Sequence, residues 1–403
     1  MAKNKKILII SENFFPEEFK INEVANDWIE KGYEVDVITQ VPTYPFSEVY
    51  AGYKNKLFSK ESINGINIYR VKAVTGYKGS VTRKIVKHLV FMLLSSMFAL
   101  INGGKYKYIF GFGVCAFTGM LPVALIKILY KNKTMIWIQD VWPDSVYASG
   151  IKRTRLREAI LKKYVSFVYS NTDSIAVSSR GFINKITPYL EKSKPIDYLP
   201  NWTDKLNINT ESIVLSKDKK IHLTFAGNIG RVQNLKKVIY VFSELTRKYL
   251  SKAQLNIIGD GSEVKNLQEF VSINNIKNVV FHGKIARRDI GGYLYASDYL
   301  IISLINHPMY SATVPSKLQT YIAARKPIIA IINGETSEIV REYSLGYCAD
   351  PDDVESIKDV FERAIENRAP FEFTRHNDYL TNSVFDKETI VDSLLSCLLS
   401  SKK

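Results

Sequence analysis

Short apolar runs alternate with longer segments of helical length throughout the first half of the chain. The runs are rich in Ile, Val, Tyr and Trp, a composition typical of β-strands. Runs of this kind, separated by segments long enough for a helix, indicate a parallel sheet that is covered on both faces. The predicted strands are ILIIS at 7–11, EVDVIT at 34–39, INIYRV at 66–71, YKYIF at 106–110, MIWIQ at 135–139 and SIAVS at 174–178.

A second alternation begins after a polar stretch, TDKLNINTESIVLSKDKK, that has no apolar periodicity and is interpreted as a linker. Strands and helix-length segments again follow one another, so the same type of sheet is expected. These strands are predicted at HLTFAG 222–227, QLNIIG 254–259, NVVFHG 278–283, YLIIS 299–303 and PIIAII 327–332.

The two alternations predict an α/β fold with two doubly wound, Rossmann-like domains. The expected boundaries are 1–202 for the first domain, 203–220 for the linker and 221–384 for the second domain. A C-terminal helix at 385–403 is expected to pack back on the first domain. Ligands of open parallel sheets bind beyond the carboxyl ends of the strands, so two such domains facing each other would place the reaction in the cleft between them.

Charge and cysteine content narrow the classes of protein and partner. The chain has 55 Lys and Arg against 40 Asp and Glu, which favours an anionic partner such as a phosphate ligand, a membrane or nucleic acid. No aromatic and basic reading face is evident, so nucleic acid is not expected. The cysteines, Cys115, Cys348 and Cys397, are far apart and lack metal-ligand spacing, which indicates a reduced cytoplasmic chain without a zinc site.

One apolar run, Leu89–Ile101, is about half the length that spans a bilayer, so no transmembrane segment is predicted. The N-terminal MAKNKKILIIS has too short an apolar core for a signal peptide. The apolar run is expected to form a helix that is either buried or placed at an anionic membrane surface, peripheral to the inner face of the plasma membrane. The basic residues that support the membrane alternative are Arg83, Lys84, Lys87, Lys152, Arg153, Arg155, Arg157, Lys162 and Lys163.

The stretch from Met309 to Asn333 joins a polar loop, a helix of about ten residues and an apolar strand. Ser316 and Lys317 stand where the helix should begin. Helix starts offer backbone N–H groups and the positive end of the dipole, and with a lysine they suit a phosphate. The alternative is a surface helix that is capped by Ser316.

Four motifs occur in order in the second half: FAGNIGRVQN at 225–234, IIGDGSE at 257–263, VVFHGKI at 279–285 and VPSKLQTYIAARKPII at 314–329. This ordered set resembles the donor-binding half of family 4 glycosyltransferases. In the first half, EKGYEVDVITQVPTYPFSEVYAGY at 30–53 and IQDVWPDS at 138–145 resemble the branch that builds bacterial surface polysaccharides, including N-acetylfucosamine transferases. The resemblance covers nearly the whole chain.

The resemblance implies a GT-B fold and a retaining transfer of a sugar, of the N-acetylhexosamine type, from a nucleotide-diphosphate donor to a lipid-linked or growing glycan. It implies no metal and no cofactor beyond the nucleotide sugar. Lys317 and Arg231 are the implied catalytic cations, which would neutralise the leaving diphosphate. The implied donor-binding residues are Gly227, Asn228, Gly230, Gln233, Gly259, Asp260, Gly283, Lys284, Ile285, Thr313, Ser316 and Thr320.

The chain departs from the family pattern at four donor positions. Asn228 and Gln233 stand where relatives usually carry Arg and Lys for the diphosphate, which shifts the expected cationic role to Lys317. Ala312 and Thr320 replace two glutamates, of which the first usually lies near the transferred sugar and the second binds ribose. Ala312 can supply neither charge nor acid, so donor choice is expected to differ.

On the acceptor side, Asp140 ends the predicted strand MIWI and is the best acid or base candidate; its alternative role is a helix N-cap. Relatives often carry His at the position of Gln139. Trp142 and Asp144 are expected to shape the acceptor pocket. Lys20 and Asn22 occupy the loop where many relatives have adjacent glycines, and they are predicted to bind the acceptor or a donor phosphate, with a plain helix start as the alternative.

Other functions fit single features of the chain. A dinucleotide-dependent oxidoreductase is suggested by Gly111, Gly113 and Ala116, which imitate a Rossmann fingerprint. A nucleotide-sugar epimerase can share the two-domain architecture, and the two missing glutamates suggest a catalytically silent scaffold of a polysaccharide complex. The glycosyltransferase is preferred because it accounts for the whole series of motifs.

Overall fold

The structure, a computed structural model, describes residues 5–114, 116–148, 150–190, 194–203, 206, 215, 220–249, 252–366 and 379–400. The chain forms two compact units, one comprising residues 1–200 and 388–403 and the other residues 201–387. Most of the predicted linker, 203–220, and Cys115 lie outside the described residues. Each unit contains a mainly parallel sheet with helices, which confirms the predicted α/β class.

The first unit contains an eight-stranded sheet in the order β3-β4-β2-β1-β5-β6-β7-β8. All neighbours are parallel except β3 and β4, which pair antiparallel at one edge. The order reverses between β1 and β5, which is where such sheets bind ligands. The strands are β1 (Lys6–Ile10), β2 (Glu34–Gln40), β3 (Phe58–Ile63), β4 (Ile66–Val71), β5 (Tyr108–Gly113), β6 (Lys133–Ile138), β7 (Ser174–Val177) and β8 (Ile196–Tyr198).

The helices of the first unit follow its strands as crossover connections, and the last of them comes from the C-terminal end of the chain. They are α1 (Lys20–Glu30), α2 (Val81–Asn102), α3 (Leu121–Tyr130), α4 (Asp144–Ala148), α5 (Arg155–Ser170), α6 (Gly181–Ile186) and, from the end of the chain, the helix Lys387–Ser400. Lys133 donates a hydrogen bond to the carbonyl of Leu399 at 2.6 Å, which ties that last helix to β6.

Helix α2 differs from the sequence prediction in length. The helix begins at Val81, about two turns before the apolar run, and the Ser80 side chain caps it by accepting a hydrogen bond from the Arg83 backbone. In the described part of the chain, Val81–Lys105 is one segment long and apolar enough to cross a membrane by length and composition. The prediction of no such segment was therefore wrong on length, although core helices pass the same test.

The glycines of the rival Rossmann fingerprint lie inside β5 and not in a turn after a strand. A Cβ at Gly111 would stand 2.7 Å from the Met120 sulfur and 2.9 Å from a Val123 methyl. The absent side chain therefore allows the segment after β5 to pack closely on the strand. This packing role explains Gly111 without a dinucleotide, and the oxidoreductase interpretation loses its motif.

The second unit contains a six-stranded parallel sheet in the order β11-β10-β9-β12-β13-β14, and its order reverses between β9 and β12. Its four central strands, β9, β10, β12 and β13, are almost fully buried, as expected for a parallel sheet that is covered on both faces. They are β9 (Ile221–Ala226), β10 (Ala253–Ile258), β11 (Val279–Gly283), β12 (Tyr299–Ser303), β13 (Ile328–Ile331) and β14 (Gly346–Ala349).

The helices of this unit are α7 (Leu235–Tyr249), α8 (Val264–Ile273), α9 (Ile290–Ala296), α10 (Pro308–Ser311), α11 (Lys317–Ala323), α12 (Glu335–Glu342) and α13 (Val354–Glu366); the C-terminal helix, Lys387–Ser400, is α14. Helix α11 has seven residues and not the ten that were predicted. Part of the predicted polar loop before it forms α10.

Candidate functional site

In the second unit, three loops converge at the carboxyl ends of β9, β10 and β11. The backbone amide of Gly227 donates to the carbonyl of Ile258 at 2.9 Å, and that of Gly259 donates to Gly283 at 2.8 Å. A Cβ at Gly259 would lie 1.8 Å from the Gly227 carbonyl oxygen, and its φ of +139° is unfavourable for other residues. Only glycine at 259 allows the first two loops to touch.

A second set of bonds fixes the tip of the loop after β9. The Ile229 amide donates to the Asp260 carbonyl at 2.9 Å, and the Asp260 carboxylate accepts from the Gly261 amide at 2.8 Å. Asp260 therefore organises the loop through its own backbone and side chain. Gln233, which is buried, accepts from the Gly230 amide at 2.9 Å, so its side-chain oxygen shapes this loop.

Lys317 lies at the centre of this rim. Its ammonium is 4.9 Å from the centroid of the buried Phe225 ring. A Cβ at Gly227 would stand 2.7 Å from Lys317 Cε and 2.8 Å from Nζ, so the missing side chain of Gly227 makes room for the lysine. Burial lowers the pKa of Lys317 to about 8, because a desolvated ammonium loses the stabilisation of water.

Tyr321 holds the lysine in place from one helical turn further along α11. Its hydroxyl accepts a hydrogen bond from the Ala226 amide at 3.0 Å and lies 3.3 Å from the Ala226 carbonyl. Residues four apart share one face of a helix, so the contact of Tyr321 with the end of β9 directs Lys317 toward Gly227. A buried cation at the carboxyl edge of a parallel sheet is suited to an anionic ligand.

The other donor candidates on α11 and the preceding segment are engaged locally. Thr320 donates to the carbonyl of Ser316 at 3.1 Å, and Thr313 donates to that of Met309 at 2.8 Å. Ser316 is exposed and makes no capping bond, so the alternative of a serine-capped helix was wrong. Gln319 was not predicted as a site residue. It is buried, and its side-chain amide has no hydrogen-bond partner within the described residues.

The remaining donor candidates lie on the surface of the same loops. Asn228 is exposed on the loop after β9, Arg231 is exposed at the start of the 3₁₀ turn that follows, and Lys284 is exposed directly after β11. Ile285 is partly buried against the core. The structure thus brings Lys317, Gly227, Gly259 and Gly283 into one continuous rim and places the three polar side chains around it.

In the first unit, Asp140 follows β6 as predicted. Burial raises the pKa of its carboxyl to about 7, because the charged form loses the stabilisation of water. A carboxyl with such a pKa can exchange a proton near neutral pH. Asp144 pairs with Lys185 at 3.0 Å, and Trp142 is half-buried.

In the loop after β1, Lys20 and Asn22 lie at the start of α1, in keeping with the alternative of a plain helix start. Asn22 donates to the Glu17 carbonyl at 2.7 Å, and Lys20 lies 4.0 Å from Glu23 within the first turn of α1. Glu17, which is buried, accepts from the amides of Thr43 and Tyr44 at 2.7 Å each. Burial raises the Glu17 pKa against these bonds. The loops after β1 and β2 are thereby joined.

Sequence reasoning missed a buried charge cluster beside the switch point of this sheet. Glu12, directly after β1, lies 2.9 Å from Lys87 Nζ and 2.8 Å from His88 Nδ1, both on α2. Burial alone would raise the Glu12 pKa, but attraction to the Lys87 ammonium and the hydrogen bonds with Lys87 and His88 outweigh it and lower the pKa to about 2. Gln40 is buried at the end of β2, and its side-chain amide has no hydrogen-bond partner within the described residues. The signal was Glu12, a charged residue directly after a buried strand.

Metal-binding geometry is not evident in the described ranges. No group of three or more His, Cys, Asp or Glu side chains there is close enough together to hold a metal ion. Within the described residues, neither Cys348 nor Cys397 forms a disulfide.

Comparisons with known proteins support the sequence resemblance. Residues 208–380 match the family model described as glycosyl transferases group 1. WcaI of Escherichia coli K12, described as a colanic acid biosynthesis glycosyl transferase, is 24% identical over 87% of this chain and 90% of its own length. The glycosyltransferase WbjE of Pseudomonas aeruginosa is 23% identical over 58% of this chain, and the match spans 60% of WbjE.

Solved structures show the same fold. Sucrose-phosphate synthase from Thermosynechococcus elongatus superimposes with a TM-score of 0.72 at 13% identity, covering 97% of this chain and 98% of that one. Anabaena HepE, solved in complex with UDP and glucose, superimposes with a TM-score of 0.65 at 14% identity, covering 98% and 100%. The match to the family model over residues 208–380, the two relatives and the shared fold support a glycosyltransferase of the family 4 type.

Proposed function

We propose that the chain transfers a sugar, of the N-acetylhexosamine type and with retention of configuration, from a nucleotide-diphosphate donor to a lipid-linked or growing glycan. The position of Lys317 is the observation that carries this proposal: a buried ammonium fills the space above Gly227 at the carboxyl edge of the sheet. A cation there can pair with a diphosphate, and HepE, with the same fold, holds UDP.

In the proposed reaction, the bond between the donor sugar carbon and the diphosphate oxygen breaks, and a bond from that carbon to an acceptor hydroxyl oxygen forms. The departing diphosphate takes the acceptor proton. Negative charge grows on the diphosphate as its bond breaks, so Lys317 and the backbone amides of the surrounding loops stabilise the transition state more than the bound donor. The donor binds without a metal or further cofactor in this scheme.

The biological setting of the proposal follows from the relatives. WcaI carries colanic acid biosynthesis in its description, so a role in bacterial surface polysaccharide synthesis is proposed for this chain. A lipid-linked acceptor would place the enzyme in the cytoplasm at the inner face of the plasma membrane, where an anionic surface is available.

The proposal is tested by incubating the full chain with a panel of nucleotide sugars and recording both nucleotide release and melting temperature. A donor is expected to raise the melting temperature, and nucleotide release is expected only with an acceptor glycan present. An isomerised sugar would instead indicate an epimerase. Binding of a nucleotide sugar without any turnover, or no binding at all, would contradict the proposed transfer.

A further inference from the structure

Helix α2 has two faces of opposite character. On its inner side, Lys87 is buried against Glu12, and the Phe98 ring lies 4.7 Å from that of Tyr69. On its outer side, eight large apolar side chains are exposed, with Leu93 at 57% and Ile101 at 75% of their full accessibility. The eight are Val81, Ile85, Val86, Leu89, Leu93, Met97, Leu100 and Ile101.

The exposed apolar surface continues from α2 onto the carboxyl end of α3. The Tyr130 hydroxyl donates a hydrogen bond to the Leu100 carbonyl, so the two helix ends are in contact. Ile128, Leu129 and Tyr130 are all exposed. We call these three side chains and the eight of α2 the α2–α3 face. It is a continuous apolar patch of the kind that marks an interaction surface, because isolated exposed hydrophobic residues would not cluster in this way.

The segments that form the α2–α3 face carry charge of one sign, and besides the buried Glu12 it is Asp173 that pairs with them, through Lys127 of α3. The sequence between Glu61 and Asp140 contains eleven Lys and Arg residues and no Asp or Glu, which accounts for most of the formal net charge of +15. Arg83 and Lys84 are exposed at the start of α2, and Lys105 and Lys131 are exposed beside its far end. The apolar face therefore has exposed cations at both ends and no exposed acid within its own segments.

This combination identifies the partner by its chemistry. A second copy of the chain would bring two positively charged rims together, so self-association through this face is opposed by charge. An anionic bilayer surface offers acyl chains to the apolar side chains and phosphate groups to the lysines and arginines. Both features of the face are then matched by a single occupant.

We propose that the α2–α3 face docks on an anionic lipid surface, with α2 lying in the plane of the interface. A helix of 22 residues extends over roughly 33 Å, so the contact is long. The buried ion pair of Lys87 with Glu12 and the packing of Phe98 hold α2 on the protein, so it lies on the membrane and does not cross it. This deepens the proposed function, which requires access to a lipid-linked acceptor.

Vesicle co-sedimentation tests the proposal without any sugar transfer. The full chain is mixed with vesicles of phosphatidylcholine alone or with phosphatidylglycerol added, at low and high salt. Binding is expected with the anionic vesicles at low salt and is expected to fall at high salt. The double variant Leu93→Glu, Met97→Glu is expected to bind at least about tenfold more weakly, since it places two charges in the apolar contact.

A matched control uses Ile273→Glu, at an apolar residue of the second unit that is 82% exposed. This variant is expected to bind anionic vesicles like the wild type. Equal binding by the double variant, or no binding of wild type to anionic vesicles at low salt, would overturn the proposal. Protein that stays with the membrane in alkaline carbonate would indicate that α2 crosses it, and a dimer lost in the double variant would indicate a second copy as the partner.

Failure of the membrane proposal and failure of the proposed transfer give different results. Transfer of the donor sugar to a soluble acceptor glycan, with nucleotide release but no vesicle binding, would refute the membrane proposal and support the enzyme function. Vesicle binding without turnover of any nucleotide sugar does the reverse.

Discussion

Replacing Lys317 with Met is expected to stabilise the second unit while removing sugar transfer. The pKa of Lys317 is lowered by burial from the ordinary 10.5 to about 8. Each pKa unit corresponds to 1.36 kcal/mol, so keeping the ammonium charged in the fold costs roughly 3 kcal/mol at neutral pH. Attraction to the Phe225 ring returns about 1 kcal/mol. Methionine has a similar length and no charge, so Lys317→Met should gain about 2 kcal/mol.

The gain has a defined pH dependence. The folded pKa of Lys317 lies below its unfolded value, so the folded chain binds fewer protons than the unfolded chain between about pH 8 and pH 10.5. The full difference between wild type and Lys317→Met is therefore present below pH 8. It disappears as the pH rises toward 10.5, where both states of the wild type are neutral.

Urea denaturation at pH 7 and at pH 10, together with nucleotide release from the donor, measures both effects. Turnover of Lys317→Met is expected to fall about 10²-fold, as for loss of one charge-stabilising donor. The matched control is Lys326→Met, because Lys326 is also partly buried over an aromatic ring, 5.0 Å from the centroid of Tyr295, and has a pKa lowered by burial. It precedes β13, at the amino end of that strand.

Lys326→Met should gain stability and keep its transfer activity. A Lys317→Met chain that is less stable than wild type and still turns over the donor would refute both the buried charge and its role.

Three further predictions concern single positions. Gly259→Ala should destabilise the second unit by at least about 3 kcal/mol in urea, whereas Gly283→Ala, with φ +70° and open space, should cost only about 1 kcal/mol. Asp140→Asn should be more stable than wild type above pH 7 by about 4 kcal/mol and equal to it below pH 4, because the folded carboxyl keeps its proton up to about pH 7; parallel pH profiles would contradict this. Glu12→Gln should lower the free energy of unfolding by about 3 kcal/mol at pH 7, because Lys87 loses its buried partner, and should change it little near pH 2. As a control, Asp392→Asn in the exposed pair with Lys31 should change stability by less than about 1 kcal/mol.

Periodicity alone located most strands, because a buried parallel strand must be apolar along its whole length. INIYRV and YLIIS were predicted with the bounds that the structure shows. The edge strands β3, β8 and β14 were missed, since their side chains are largely half-exposed or exposed. Strands β3 and β8 also carry polar residues, and β14 has only four residues. Strand β5 was ended too early, because Gly111 and Gly113 were taken as a turn.

The sequence by itself determined the two-domain α/β class, the order of the motifs and the importance of Gly227 and Lys317. Each of these rests on local pattern: apolar runs of strand length, glycines directly after strands and a lysine where a helix begins. It also gave the positive charge and the apolar run in α2, but neither the full length of that helix nor which of its sides is exposed.

The tertiary structure decided how distant positions meet. Lys317 lies above Gly227 only because the β9 loop and α11, about ninety residues apart in sequence, are joined through Tyr321 and Ala226. Glu12 is paired with Lys87 and His88 across a similar separation. Such contacts depend on strand order and helix packing, which no local pattern encodes. The stretch from Met309 to Asn333 thus suggested a phosphate site, and packing supplied the buried environment that makes its lysine an unusual cation.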